Sequence, residues 1–192
     1  MSAPLTRAFA ADQRYYGGSI GIVVDNADPR GEGRVRLRFP WFSEEMESDW
    51  VRVAQPYAGN GFGFYWVPEI ATEVIVSFVQ GDIRFPIVIG SLYNGRDKPA
   101  VARNGRDPKV IQTQAGHRIL IEDQAGQEKI EIVDAQGNNS ITIDTTTNTI
   151  TITALGDVAV KATGRLTMSG DAGVEISSSG AVSIRGATIG LN

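Results

Sequence analysis

Four pairs of apolar residues recur every eight positions toward the C-terminal end: Val158/Val160, Leu166/Met168, Val174/Ile176 and Val182/Ile184. Residues two apart share one face of a strand, so each pair marks a short strand with one apolar side. Turn formers fill the intervals, among them Gly164, Gly170, Asp171 and Gly180. Upstream the same pairing continues more loosely at Ile119/Ile121, Ile130/Ile132, Ile141/Ile143 and Ile150/Ile152. An internal repeat of this kind constrains architecture before any other feature does.

A strand of five residues spans roughly 17 Å, which leaves three residues of an octad to turn a corner. One octad is therefore one side of a polygon. A single chain closing its own triangular coil would repeat only every third side, whereas here every octad resembles the next. Three chains winding together, each supplying one side per level, satisfy that uniformity and bring the apolar pairs onto a shared axis. The expected seam is Ile150, Ile152, Val158, Val160, Leu166, Met168, Val174, Ile176, Val182 and Ile184. Stacked ~4.8 Å apart, nine such strands make a rod roughly 40 to 45 Å long. An antiparallel meander or sandwich also shows period-two strands at this spacing and stands as the alternative. Against it, only Gly137-Asn138 and Asn148-Thr149 look like hairpin corners, and the opposite face (Thr142, Thr151, Thr167, Glu175) is too polar for a second packed layer.

The 192-residue chain has room for two small domains, and it has no cysteine, which excludes disulfides and thiolate metal sites. Lys and Arg balance Asp and Glu, thirteen to thirteen, over residues 1–116, but five face nine over 117–192. An acidic rod is a poor ligand for nucleic acid. The first residues lack the apolar run of a signal peptide and no stretch reaches the length of a membrane span, so synthesis in the cytoplasm is expected.

Residues 18–94 are expected to form a small closed β-barrel, with strands at 19–25, 33–39, 50–54, 73–78 and 83–90. The expected division is an arm at 1–17, the barrel at 18–94, a linker at 95–116 and the rod at 117–192. Turn signals lie at Asp28-Pro29, Gly59-Asn60-Gly61 and Gly81-Asp82. Gly31 and Gly33 precede the strand at Arg34, and Pro40, Pro68 and Pro86 suit strand ends. One ordered set runs from Gly31-x-Gly33-Arg34-Val35-x-Leu37-x-Phe39-Pro40-Trp41 through Trp50-Val51-Arg52-Val53-Ala54 and Pro68-Glu69-Ile70-x-Thr72-Glu73-Val74. It continues with Gly81-Asp82-x-x-x-Pro86, Ile89-Gly90-Ser91-Leu92-Tyr93-Asn94 and Gly116-His117-Arg118-Ile119. This set resembles the OB-fold domain, and the passage into the rod, of the VgrG and phage baseplate protein V spikes of contractile injection machines.

The resemblance implies an all-β chain, an OB-fold barrel followed by an intertwined trimeric triple-stranded β-helix, acting as a homotrimeric membrane-puncturing spike in a baseplate. With seventeen residues ahead of Gly18, it implies a separate hub protein. The arm carrying Arg14, Tyr15 and Tyr16 should meet that hub or stay unordered in isolation. A blunt end at Thr188, Ile189, Gly190, Leu191 and Asn192 would leave strand edges uncovered and is the expected seat of a conical tip protein resembling the PAAR-repeat family. Some spikes of the family hold a metal through a His-x-His pair near the point; the single histidine, His117, lies at the base instead. No cofactor is expected. A trimeric tail-fibre or adhesin stalk is the runner-up, although such a protein normally carries a receptor-binding head.

One histidine and no cysteine leave little for nucleophilic, zinc or imidazole chemistry. Carboxylates such as Glu44, Glu45, Glu47, Asp49, Glu69 and Glu73 are read as solvated loop residues, and the chain is not expected to be an enzyme. Gly59-Asn60-Gly61-Phe62-Gly63 lacks the Lys-Ser/Thr of a phosphate loop. Arg34, Arg36 and Arg38 alternate along one strand near Trp41, Phe62, Phe64, Tyr65 and Trp66, a pattern that OB barrels use for single strands. Ion pairing to nearby Asp and Glu is the competing and preferred reading, given the neutral charge of the domain.

Overall fold

A computed structural model describes residues 14–43, 45–101 and 108–190. Its contacts divide the chain into two units, Met1–Ala102 and Arg103–Asn192.

In the first unit the strands are β1 (Ser19–Asp25), β2 (Arg36–Arg38), β3 (Arg52–Val53), β4 (Ala58–Gly59), β5 (Phe62–Gly63), β6 (Glu73–Phe78) and β7 (Pro86–Ser91). The main sheet runs β2-β1-β6-β7-β3. All its pairs are antiparallel except β3 with β7, which is parallel. Val35 and Val51 exchange both backbone hydrogen bonds, at 3.0 and 2.7 Å, so the residues before β2 meet those before β3 and the sheet closes on itself. Closure removes the free edges that an open sheet would expose.

Alternation in β6 is strict: Val74, Val76 and Phe78 are buried while Glu73, Ile75 and Ser77 face outward. They meet Val23, Leu37 and Val88 in one core. Gly31 and Gly33 take positive φ, 65° and 71°, in the turn that delivers Arg34, a conformation that costs other residues more. The strand expected at 33–39 is continuous only over Arg36–Arg38, with Val35 in its isolated bridge to Val51, and Asp28 organises the residues before it. Its carboxylate accepts the amides of Arg30, Glu32 and Arg34 at 2.9 to 3.2 Å. A short 3-10 turn, Val79–Gly81, joins β6 to β7.

The second unit contains β8 (Pro108–Gln112), β9 (Arg118–Glu122), β10 (Lys129–Val133), β11 (Ser140–Asp144) and β12 (Thr149–Thr153). They form one antiparallel meander in the order β12-β11-β10-β9-β8. The stretch 95–116, expected as a linker, therefore supplies a strand. Residues 119–152, which the spacing groups with the octads, pair instead within the chain, so the meander alternative holds for this part. The reason is in the connections: Gly116, Gly126, Gly137 and Asn148 all adopt positive φ in the turns that reverse the chain between consecutive strands.

Isoleucines lie opposite one another across every ladder of this sheet. Ile111, Ile119, Ile132, Ile141 and Ile152 form one row. Ile121, Ile130, Ile143 and Ile150 form the second. All are exposed, from 37 % at Ile143 to 73 % at Ile150. The other face is mixed: Leu120, Val133 and Glu122 are buried on it, and Glu131 bridges to Arg118 (3.6 Å) and Lys129 (3.7 Å).

From Ala154 to Gly190 the described backbone enters no ladder, and nearly all of it is exposed. The expected triple-stranded β-helix is not visible in this single chain. Every octad residue of the expected seam is at least half exposed.

Candidate functional surfaces

The arginine strand is the first surface to resolve. Arg34 holds Asp28 through two side-chain hydrogen bonds, at 2.7 and 3.0 Å, and also reaches Glu32 at 3.1 Å. Both partners are shielded, with the Asp28 side chain 2 % and that of Arg34 15 % exposed. The Arg34 guanidinium holds the Asp28 carboxyl well below the usual carboxylate range, and Asp28 in turn raises Arg34. Arg36 bridges to Glu47 at 3.1 Å and donates to the Ser48 carbonyl. Arg38 lies opposite Glu47 in an isolated bridge. Two of the three cations are thus already neutralised by their own barrel, which leaves a weak electrostatic footprint for a nucleic-acid strand.

Residues 45–49, read as a solvated charged insertion, turn out to include a packed element. The Ser48 side chain is buried; its hydroxyl accepts the Leu37 amide at 2.9 Å and donates to the Asp49 carbonyl at 2.7 Å. Glu44 lies outside the described residues.

At the described end of the arm, Tyr15 donates its amide to the Gly81 carbonyl at 2.7 Å and stacks on Trp41. Arg14 donates to the Gln80 carbonyl at 2.9 Å. A side chain at Gly81 would press on the Tyr16 ring at 3.1 Å, so the glycine lets the arm approach. Tyr16 itself is 77 % exposed. Residues 1–13 lie outside the described residues.

A second aromatic surface is the hairpin of β4 and β5, with Tyr57, Phe62, Phe64, Tyr65 and Trp66 all exposed. Tyr57 and Phe62 lie 5.1 Å apart, and Phe64 and Trp66 6.4 Å. Gly63 sits at φ 134° with the Tyr57 carbonyl against the place a side chain would take. The sequence offered a Gly-rich loop and a set of aromatics here, but not the hairpin, since two-residue strands leave no periodicity to read.

Among the described residues, no group of three or more His, Asp or Glu is placed to hold a metal ion, and no helix is long and apolar enough to cross a membrane. His117 closes the β8–β9 reversal, its Nδ1 accepting the Ala135 amide at 3.2 Å. At the far end Thr188, Ile189 and Gly190 are exposed, with Ile189 at 50 %; Leu191 and Asn192 lie outside the described residues.

A closed five-stranded barrel with one parallel pair, followed by a sheet and a repeat whose apolar residues are exposed in the single chain, defines an OB-fold protein. Residues 19–93 match the family described as the type VI secretion system/phage-baseplate injector OB domain. The chain is 38 % identical over 126 aligned residues to the type VI secretion system spike protein VgrG3 of Vibrio cholerae, covering 57 % of this chain and 12 % of that protein. It is 33 % identical over 158 residues to the spike protein VgrG2a of Pseudomonas aeruginosa, covering 72 % and 18 %. The actin cross-linking toxin VgrG1 of Vibrio cholerae is 34 % identical over 126 residues, 57 % and 12 %. These matches support a relationship to the VgrG/phage baseplate protein V spike family, carried by the OB domain at residues 19–93. It spans less than a fifth of the length of these relatives.

Proposed function

We propose that this chain is the central spike of a contractile injection system or phage-like tail, a homotrimer that joins a baseplate hub to a tip protein. One observation carries the reading: the octad pairs at 158–184 are exposed, with no ladder of their own. Buried backbone polar groups need partners, and apolar pairs on one face need cover. Three copies in parallel meet both demands at once, each giving one side per level. Stripes of Val, Leu, Met and Ile then fill the axis, each side chain contributing ~1.5–3 kcal/mol on burial.

The function that follows is mechanical. Sheath contraction, powered elsewhere, drives the spike through a target envelope, and the ladders and apolar seam resist axial load. The names of the relatives support this role, and the paired arginines of the barrel speak for a structural collar rather than a nucleic-acid module. The docked arm, with Tyr16 outward, offers the separate hub protein a preformed aromatic contact. A PAAR-like tip protein would seat on Thr188 to Asn192. No cofactor and no catalytic step enter this mechanism. Assembly takes place in the baseplate of the injection particle.

Native mass measurement of the isolated protein tests the reading: a trimer is expected, and a monomer overturns it. The tip contact has its own test. A chain ending at Gly186 should lose capture of the tip protein, and unchanged affinity would remove that contact.

A further inference from the structure

Asparagine followed by glycine carries a chemistry of its own, because glycine leaves its amide nitrogen open to approach by the asparagine side chain. The chain has three such steps, Asn60-Gly61, Asn94-Gly95 and Asn104-Gly105, the last outside the described residues. The fold treats the other two differently. Asn60 and Gly61 form the corner of the β4–β5 hairpin, between the paired Gly59 and Phe62. Asn60 is exposed, and among the described residues neither its side chain nor the Gly61 amide makes a hydrogen bond. Gly61 stands at φ 79° with open space around it. Asn94, by contrast, is partly buried and held on both side-chain atoms. Its Oδ1 accepts the amides of Arg96 and Asp97 at 2.9 and 2.7 Å, and its Nδ2 donates to the carboxylates of Glu73 and Asp97 at 3.3 and 3.4 Å.

We propose that Asn60 is a modification site of the folded chain, deamidating spontaneously with water as the only co-reactant, and that the product opens the aromatic hairpin. The Gly61 nitrogen gives its proton to a solvent base and bonds to Asn60 Cγ. The Cγ–Nδ2 bond breaks, and Nδ2 leaves as ammonia with a proton returned by solvent. Water then opens the cyclic imide at either carbonyl, giving aspartate or isoaspartate, with no change of oxidation state. Either product carries a negative charge that asparagine lacks, and isoaspartate also routes the backbone through the former side-chain carbon. A two-residue corner cannot take in an extra backbone atom and still hold Ala58 opposite Gly63 and Gly59 opposite Phe62. That register places the Phe62 ring over Gly59, where a side chain would collide with it, and 5.1 Å from Tyr57. The exposed aromatic surface therefore changes as the molecule ages. At Asn94 the same attack must draw the side chain off four partners, so ring closure there is slower by at least about tenfold. The proposal is independent of the trimeric spike reading.

The full chain is incubated at mildly alkaline pH, both native and in guanidinium chloride, and trypsin then separates residues 53–84, 85–96 and 104–106 for mass measurement. In the native chain, 53–84 should gain the mass of deamidation at least about tenfold faster than 85–96, with fragmentation placing it at Asn60, chiefly as isoaspartate. In denaturant the two rates should converge, since the restraint on Asn94 is gone. Equal rates in the native chain overturn the proposal. The same ratio in both solvents overturns it too, because the fold then selects nothing. Asn60→Gln, whose imide would need a less favourable six-membered ring, should keep the mass of 53–84 constant; a persistent gain there removes Asn60 as the site. The near-UV circular dichroism of the native chain should fall in step with conversion. A constant signal at full conversion would overturn the opening of the hairpin.

Discussion

The ring of Tyr15 lies stacked on that of Trp41, centroids 5.4 Å apart and planes 22° from parallel. Trp41 also meets Phe39 edge-on at 5.8 Å, and Tyr15 meets Phe78 at 6.1 Å, so the arm is joined to the barrel core through three rings. Such pairs contribute about 0.5–1.5 kcal/mol each beyond the area they bury. Tyr15→Ala should therefore lower the denaturation midpoint of the barrel and shift the emission of Trp41. Unchanged unfolding and emission would mean that the arm is not docked in solution.

Ser48 and Leu37 form the next testable pair. The Leu37 amide is buried and finds its acceptor in the Ser48 hydroxyl, while the Ser48 amide donates back to the Leu37 carbonyl at 2.7 Å. Ser48→Ala leaves that amide without a partner, at a cost of about 1–3 kcal/mol. Urea unfolding measures the loss. A variant as stable as the parent would show that the loop at 45–49 contributes nothing to β2.

Acid should act on the barrel through Asp28 and Asp82. The Arg84 side chain, followed by its own amide, lowers the Asp82 carboxyl to about 2, and Arg34 holds Asp28 lower still. Both groups are depressed in the folded state, so the unfolded chain takes up protons first. Their contribution is complete above the unfolded carboxylate value of about 3.9 and is lost as pH falls through the folded ones. Stability of the barrel should accordingly decline between about pH 4 and pH 2. Asp28→Asn should be less stable at neutral pH and decline less steeply across that window. An equal slope in the variant would remove the Asp28–Arg34 pair as the cause.

How far the sequence reached depends on what kind of signal each element left. Alternation in Glu73–Phe78 was enough to place β6 and its buried Val74, Val76 and Phe78. The positive-φ glycines at 31 and 33 sat where a turn was expected. Period two names the face of a strand, however, and not the chain that pairs with it. Hence Ile119 to Ile152 looked like more octads, although reversals at Gly126, Gly137 and Asn148 return each strand onto its own neighbour. The arginine pairs were legible as a possibility, but Asp28 and Glu47 had to be found by folding, because they flank β2 from opposite sides in sequence. Docking of Arg14 and Tyr15 left no sequence signal at all, since it relies on backbone carbonyls at Gln80 and Gly81.

The octad seam gives the sharpest outcome. Val174 is 54 % exposed in the single chain, and on the proposed trimeric reading it packs when copies come together, so its substitution tests assembly without disturbing the barrel. Val174→Asp brings three carboxylates to one level of the axis, where unpaired charges pay several kcal/mol each in lost hydration. Trimer should be lost at neutral pH. Burial raises the carboxyl values, so protonation removes the penalty and trimer should return as pH falls below them. Thr167→Asp, one residue off the apolar pair at Leu166 and Met168, points to the other side and should leave the trimer intact. Size-exclusion chromatography with light scattering across pH distinguishes the two variants. Equal, heat-resistant trimers from both at neutral pH would mean that Val174 does not face the axis.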